Sequence, residues 1–145
     1  MNSVLVDIKD KLVDAGIGTF AGTASWGIFL TRFPDAPVDA ICLYDTGGQT
    51  PEHVMDADIP SLRRESFTAR VRAGTYLTAY QKMTAICAAL DRIGSWTVTG
   101  SDMSVVRYSD IFQRSEITLF QQDEKDRYIL SADFESVRKE TSTGG

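Results

Sequence analysis

Hydrophobic and polar positions alternate most regularly in the middle of the chain, between Glu65 and Ile93. Every second residue from Phe67 to Val71 is apolar. The positions between them are polar: Ser66, Thr68, Arg70 and Arg72. A period of two predicts a strand with one buried face. After Gly74, apolar residues recur every three or four positions, which predicts an amphipathic helix of about five turns with Thr75 as its N-cap.

The same patterns predict elements on both sides of this pair. A first helix is expected from Ser3 to about Ala15. Two apolar strands follow, at Trp26 to Phe33 and Val38 to Tyr44. The prolines of Pro34-Asp35-Ala36-Pro37 lie between these strands and predict a turn, so we expect an antiparallel hairpin. A short strand or turn is predicted at 95–100 and further strands at 104–108 and 127–137, whereas 109–120 has no regular period.

These elements predict an α+β fold, with a mainly antiparallel sheet, one long helix packed on it and an N-terminal helix. A length of 145 residues fits a single domain over 1–145. Residues 45–62 contain paired glycines and two prolines and predict a long loop, which is either functional or a plain connection. Residues 139–145 are predicted to form a flexible tail.

Net charge, the length of apolar runs and the cysteine content argue against several classes of function. The net charge of −5 argues against a general nucleic-acid binder. No apolar run reaches the roughly 18 residues of a membrane helix, and the N-terminus lacks a signal-peptide layout, so synthesis in the cytosol is expected. Cys42 and Cys87 lie in apolar runs and are predicted to be buried free thiols. With one histidine, they do not make a four-ligand zinc site, and we expect no metal or cofactor.

The sequence contains no pattern typical of a catalytic site. We find no nucleophile elbow, metalloprotease helix, phosphate loop or dinucleotide fingerprint. His53 lies in a polar stretch beside Glu52, Asp56 and Asp58, but a catalytic histidine needs a partner in a fixed position. We therefore expect solvated loop residues here, and a protein that is not an enzyme.

Arginines form the main cluster of charge: Arg63, Arg64, Arg70, Arg72 and Arg107. Arg70 and Arg72 share the polar face of the central strand. Two interpretations stay open, a solvated or ion-paired sheet face and a surface for an acidic partner. Asp133 and Glu135 on the outer face of the last strand would complement it. A protomer would then present basic and acidic strand faces to its neighbours.

Three stretches resemble a known family when read in order. They are the strand, Pro-Asp-x-Pro turn, strand and Asp45-Thr46-Gly47-Gly48 loop of 27–48, the Val-Arg strand and long helix of 67–90, and the polar turn and alternating strand of 123–138. The chain is similar, across most of its length, to tail terminator (tail completion) or minor capsid proteins of long-tailed bacteriophages.

This resemblance implies a structural protein of the virion. Such proteins form a ring, typically of roughly six copies, at the head-proximal end of the tail tube. The ring stops tube polymerisation and offers a head-docking surface, and DNA passes through its channel without specific binding. The implied partners are further copies of the chain, the tail tube protein and the head–tail connector or neck proteins, with no membrane. The sheet strands and the Asp45–Gly48 loop are the expected interface.

Two alternatives stay open. The first is a neck, connector or minor capsid protein on the portal side of the head–tail junction. The second belongs to another class, a small-molecule-binding domain or an undetected enzyme in which the 45–62 loop acts as a lid over the sheet.

Overall fold

The computed structural model describes residues 3–23, 25–48, 62–91, 93–100 and 102–141. Two helices are present, α1 (Val4–Asp14) and α2 (Tyr76–Leu90). The strands are β1 (Thr19–Phe20), β2 (Gly27–Leu30), β3 (Ala40–Gly48), β4 (Leu62–Ala73), β5 (Trp96–Thr99), β6 (Val105–Gln113), β7 (Thr118–Gln122) and β8 (Tyr128–Thr141). Both predicted N-caps are confirmed, because Ser3 accepts from the Leu5 amide and Thr75 from the Thr78 amide.

The strands form a single mixed sheet in the order β1-β2-β3-β4-β8-β6-β5. Strand β8 lies beside β4 along most of its length. Its other edge is shared, since β6 pairs with its C-terminal part and β7 with its N-terminal part. The pairings from β3 onward are antiparallel, whereas β1–β2 and β2–β3 are parallel. The predicted α+β class is confirmed, and the sheet is antiparallel only in part.

Both helices pack on the inner face of the sheet, which is the apolar face of β3, β4 and β8. Four of the five residues of the predicted stripe are buried in α2: Ala79, Met83, Ile86 and Leu90. The fifth, Ile93, lies beyond the helix. Of the two residues expected beside the stripe, Cys87 is buried and Tyr80 is exposed. From α1, Ile8 and Leu12 are fully buried in the same core. Phe67 and Phe134 lie opposite each other on neighbouring strands, and their rings stack with centroids 5.3 Å apart. The alternation of the central strand therefore does mark its buried face.

The antiparallel hairpin predicted between the strands at Trp26 to Phe33 and Val38 to Tyr44 is wrong. Strands β2 and β3 run parallel, with Gly27 opposite Ala40 and Leu30 opposite Leu43. Residues 31–39 are too long for a tight hairpin loop, and they return the chain along the length of β2 before β3 begins. The prolines bar ladder hydrogen bonds, as expected, but they do not set the direction of the next strand.

Several predicted boundaries also move. The strand predicted at Trp26 to Phe33 is β2, which ends at Leu30, and helix α2 ends at Leu90 instead of Ile93. The Ile93 backbone pairs with Ile111 in an isolated bridge. Asp45 to Gly48 and Leu62 belong to strands β3 and β4, so only 49–61 of the predicted loop lies outside the described residues.

The irregular stretch 109–120 is strand at both ends, because β6 continues to Gln113 and β7 begins at Thr118. Register shifts in β6 between Tyr108 and Asp110, and in β7 between Leu119 and Gln121, explain the lost alternation. Strand β8 reaches Thr141, so the first three residues of the predicted tail are strand. Residues 142–145 lie outside the described part.

Candidate assembly surfaces

Arg70 lies on the outer face of the sheet, the face opposite the helices, between two aromatic rings. Its guanidinium carbon is 4.6 Å from the ring centre of Tyr44 and 3.8 Å from that of Phe120. Its Nε atom is buried without a hydrogen-bond partner. Phe120 itself is 48% exposed. Strand β7 therefore folds over this arginine, and a partner approaching here would first meet Phe120.

Arg72, two residues further along β4, makes hydrogen bonds within the protomer. Its side chain donates to the carbonyl oxygens of Pro37 (Nη2, 2.7 Å) and Val38 (Nε, 3.2 Å) and lies over the Phe33 ring. The residue is 3% exposed. Burial, with the nearby Arg127 charge, lowers its pKa. The Arg72 guanidinium therefore stabilises the β2–β3 connection of its own chain and is not exposed to a partner.

A second arginine holds the same connection at Asp35. Arg127 donates from Nη1 to the Asp35 carbonyl at 2.6 Å and from Nε to the Asp123 carboxylate at 2.7 Å. Lys125 pairs with the Asp35 carboxylate, and its hydrogen bond and charge lower the pKa of that carboxyl group. The β7–β8 turn and the Pro-Asp-Ala-Pro segment are therefore joined by charged hydrogen bonds.

The predicted acidic residues lie on the same outer face as Arg70. Asp133 is opposite Thr68, whose hydroxyl donates to its carboxylate at 2.6 Å. Glu135 is 3.9 Å from Arg114. An open cleft of about 430 Å³ lies beside them. Basic and acidic groups therefore share one sheet face instead of forming two separate ones.

The Asp45–Gly48 motif is an irregular end of strand β3. The Asp45 carboxylate accepts from the Gly47 amide at 2.9 Å. The ladder to β4 shifts register between these residues, and Gly47 has a φ of 91°, which favours glycine. This bulge lies beside the start of β4. His53 and its acidic neighbours lie outside the described residues.

The remaining predicted arginines gather elsewhere, at one end of the sheet. Arg63 and Arg64 begin β4, and Arg107 on β6 lies directly opposite Lys139 on β8. Lys139 is in turn opposite Leu62 of β4. We call Arg63, Arg64, Arg107 and Lys139 the basic end. Sequence reasoning grouped its arginines with Arg70 and Arg72 and missed Lys139, which falls in the predicted tail.

A buried polar network beneath the basic end was also missed. The Tyr108 hydroxyl donates to the Asp7 carboxylate of α1 at 2.6 Å, and Arg138 makes a two-pronged ion pair with Glu65 through Nε (2.8 Å) and Nη2 (3.1 Å). Burial, reinforced by the hydrogen bond to Asp7, raises the pKa of Tyr108. Burial alone would lower the pKa of Arg138, but Glu65 and its other partners raise it. The network joins α1 to three strands.

The described residues contain no group of three or more histidine, cysteine or carboxylate side chains that could hold a metal ion. Cys42 and Cys87 are free and buried, as predicted. Burial, with the charges of Asp91 and Glu116, raises the pKa of Cys87 to about 11. Neither α1 nor α2 has the length and apolar character needed to cross a membrane, within the described ranges.

Comparison with known proteins identifies the family to which this chain belongs. The model of a family described as bacteriophage tail terminator protein matches residues 11–139. The chain belongs to this family. It is therefore a structural protein of the phage tail, located in the virion, and it interacts with other phage structural proteins. Tail terminators are structural proteins and not enzymes.

Solved structures support the fold. A chain in the virion of a native gene transfer agent particle has a TM-score of 0.53 and 20% identity, with 96% of each chain covered. A second solved chain has a TM-score of 0.54 and 14% identity, covering 98% of this chain and 97% of that one. At these identities the likeness concerns the fold. No curated protein matches this terminator.

Proposed function

We propose that this tail terminator forms a closed ring, of roughly six copies, at the head-proximal end of the tail tube. The ring ends tube polymerisation and provides the surface on which the head docks. The observation that carries this proposal is the family match, which extends from the last turn of α1 to Lys139 of β8. DNA passes through the ring without specific binding.

Exposed apolar side chains support a role in assembly. Tyr76, Leu77 and Tyr80 on the first two turns of α2 are exposed, as are Leu119 and Phe120 on β7. Single apolar residues are common on surfaces, but a group on one element is typical of contact sites. Each copy in a closed ring needs two different complementary surfaces. The α2 group lies on the inner side of the sheet and Phe120 on the outer side, so each is available to a different surface.

The predicted interface residues take different parts in this proposal. The basic-end arginines Arg63 and Arg64, the acids Asp133 and Glu135, and the motif Asp45, Thr46, Gly47 and Gly48 provide subunit or tube contacts. Arg70 contributes through the ring of Phe120 that covers it. Arg72 acts indirectly, because it holds the β2–β3 connection in position.

The mass of the purified protein in solution tests the ring. We expect a species of roughly six times the protomer mass of 16.0 kDa, visible as closed rings in electron micrographs, alone or on tail tubes. A strictly monomeric protein that also leaves both ends of purified tubes bare would contradict the proposal.

Adding labelled protein to separated heads and tails tests which side of the junction it occupies. A terminator binds one end of the tail tube. Binding to heads alone would instead indicate a neck, connector or minor capsid protein on the portal side.

A further inference from the structure

The basic end is an unusual concentration of like charge. Arg107 and Lys139 are directly opposite each other on neighbouring strands. Adjacent strands are only about 5 Å apart, and like charges in this position are destabilising. Arg64 enters the same end of the sheet from β4, opposite Val137 of β8, whereas Arg63 is opposite Arg138 and therefore lies on the other face.

One carboxylate, Asp110, stands opposite Val137 on β8, but no ion pair joins it to the four cations among the side chains that the structure describes. In the described part of the chain, no ion pair is formed by the four residues of the basic end. The neighbouring Arg138, by contrast, forms ion pairs with Glu65 and Asp7. Arg64 and Arg107 are both exposed. The protomer therefore maintains a repulsive cluster that a carboxylate surface from outside would relieve.

The other end of β8 has the opposite character. The β7–β8 turn contains three acids, Asp123, Glu124 and Asp126, and one cation, Lys125, whose charge is engaged by Asp35. Asp123 is engaged by Arg127, whereas Glu124 and Asp126 are exposed and without an ion pair in the described part of the chain. We call residues 123–126 the acidic turn. It is separated from Lys139 by roughly 35 Å of strand, so the two ends do not meet within one copy.

We infer that the basic end of one copy binds the acidic turn of a second copy. This inference rests on the proposed self-association and identifies one of the contacts it requires. The chain carries a net charge of −5, and its remainder without the four cations carries −9. A second copy is therefore complementary to the basic end. A nucleic-acid backbone would be attracted there but repelled by the rest of the surface. Contact between opposite ends is also heterologous, as a ring requires.

Charge reversal tests the basic end. The double variant Arg64→Glu with Arg107→Glu should weaken self-association about tenfold or more, because attraction becomes repulsion. The control, Arg32→Glu, is matched to the single variant Arg64→Glu: it reverses an exposed arginine outside the basic end and should associate like the unaltered protein. Sedimentation velocity over a range of protein and salt concentrations measures both.

Reversal of the acidic turn tests the pairing itself. Glu124→Lys with Asp126→Asn should weaken association alone and restore it when combined with the basic-end reversal. Asparagine is chosen because Asp126 has a positive φ of 58°, which it tolerates.

The outcomes separate this inference from the proposed function. Unchanged association of the Arg64→Glu, Arg107→Glu variant overturns the inference and leaves the ring standing. Loss without rescue also overturns it, because the basic end then has another partner. Loss of binding to a DNA duplex, with association intact, overturns it in favour of nucleic acid. If the unaltered protein does not associate under any condition, including beside tail tubes, the ring itself fails.

Discussion

Tyr108 is the single side chain on which most of the buried polar network depends. It is fully buried, stacks against Trp96 with ring centres 4.7 Å apart, and donates to Asp7. Arg138 also reaches its oxygen, at 3.4 Å. The ring fills the space between α1 and the sheet, whereas the hydroxyl satisfies a buried carboxylate.

Removing only this hydroxyl should therefore be costly. Tyr108→Phe leaves Asp7 with one partner fewer in a buried site, and we expect a loss of about 1–3 kcal/mol in the free energy of unfolding. Urea titration measures it. Tyr128→Phe is the control, because no hydrogen bond of that hydroxyl is found in the described structure, and it should change stability by less than about 0.5 kcal/mol. Equal changes in the free energy of unfolding for the two variants would show that the hydrogen bond from Tyr108 to Asp7 does not contribute to stability.

Leu90 gives a matched test of the core. It is fully buried at the end of α2, whereas Leu77 on the same helix is 64% exposed. Leu90→Ala should cost about 2–5 kcal/mol through lost apolar burial and a cavity. Leu77→Ala should cost less than about 0.5 kcal/mol and instead weaken assembly, if α2 contributes a contact surface. A stable Leu90→Ala variant would mean that the end of α2 is not packed as described.

At the scale of elements, the position of the β2–β3 connection depends on side chains that are distant in sequence. Residues 31–39 have no regular structure of their own. Their carbonyls are held by Arg72 on β4 and Arg127 before β8. This explains how a segment with two prolines is fixed firmly enough to set a parallel strand pair.

Arg72→Leu should release this connection. Two carbonyls would lose their donors, and we expect a loss of about 1–3 kcal/mol in stability, with faster hydrogen exchange confined at first to residues 31–39. Arg32→Leu alters an exposed arginine in the same segment and should leave both quantities unchanged. Exchange that rises equally in both variants would contradict the role given to Arg72.

The elements themselves were largely predictable from sequence, because their periods are local. The Phe67–Val71 alternation and the α2 stripe were correct in type and in buried face. The direction of β3 was not predictable in this way, because it is a matter of how the 31–39 connection runs, and that segment is held by the distant residues Arg72 and Arg127. Bulges near Ser109 and Phe120 shift the alternation by one residue, which hid the ends of β6 and β7.

At the scale of the whole molecule, the arginines predicted to form one cluster lie in different places, because residues close in sequence are not necessarily close on the surface. Arg64 and Arg70 are six residues apart, yet one is at an exposed sheet end and the other is under an aromatic ring. Arg107 and Lys139 join Arg64 only through the sheet. The resemblance to the tail terminator family could be recognised from motifs in a fixed order along the chain. The surface clusters could not, because they depend on which strands are neighbours in the sheet, and no local sequence pattern contains that information.

The central claim is that this protein acts through surfaces it presents to copies of itself and to the tail tube. The most direct test is to polymerise purified tube protein with and without it and measure tube lengths by electron microscopy. The account predicts that its presence shortens the tubes and leaves a ring of density on one end. Tubes of unchanged length with both ends bare would contradict it.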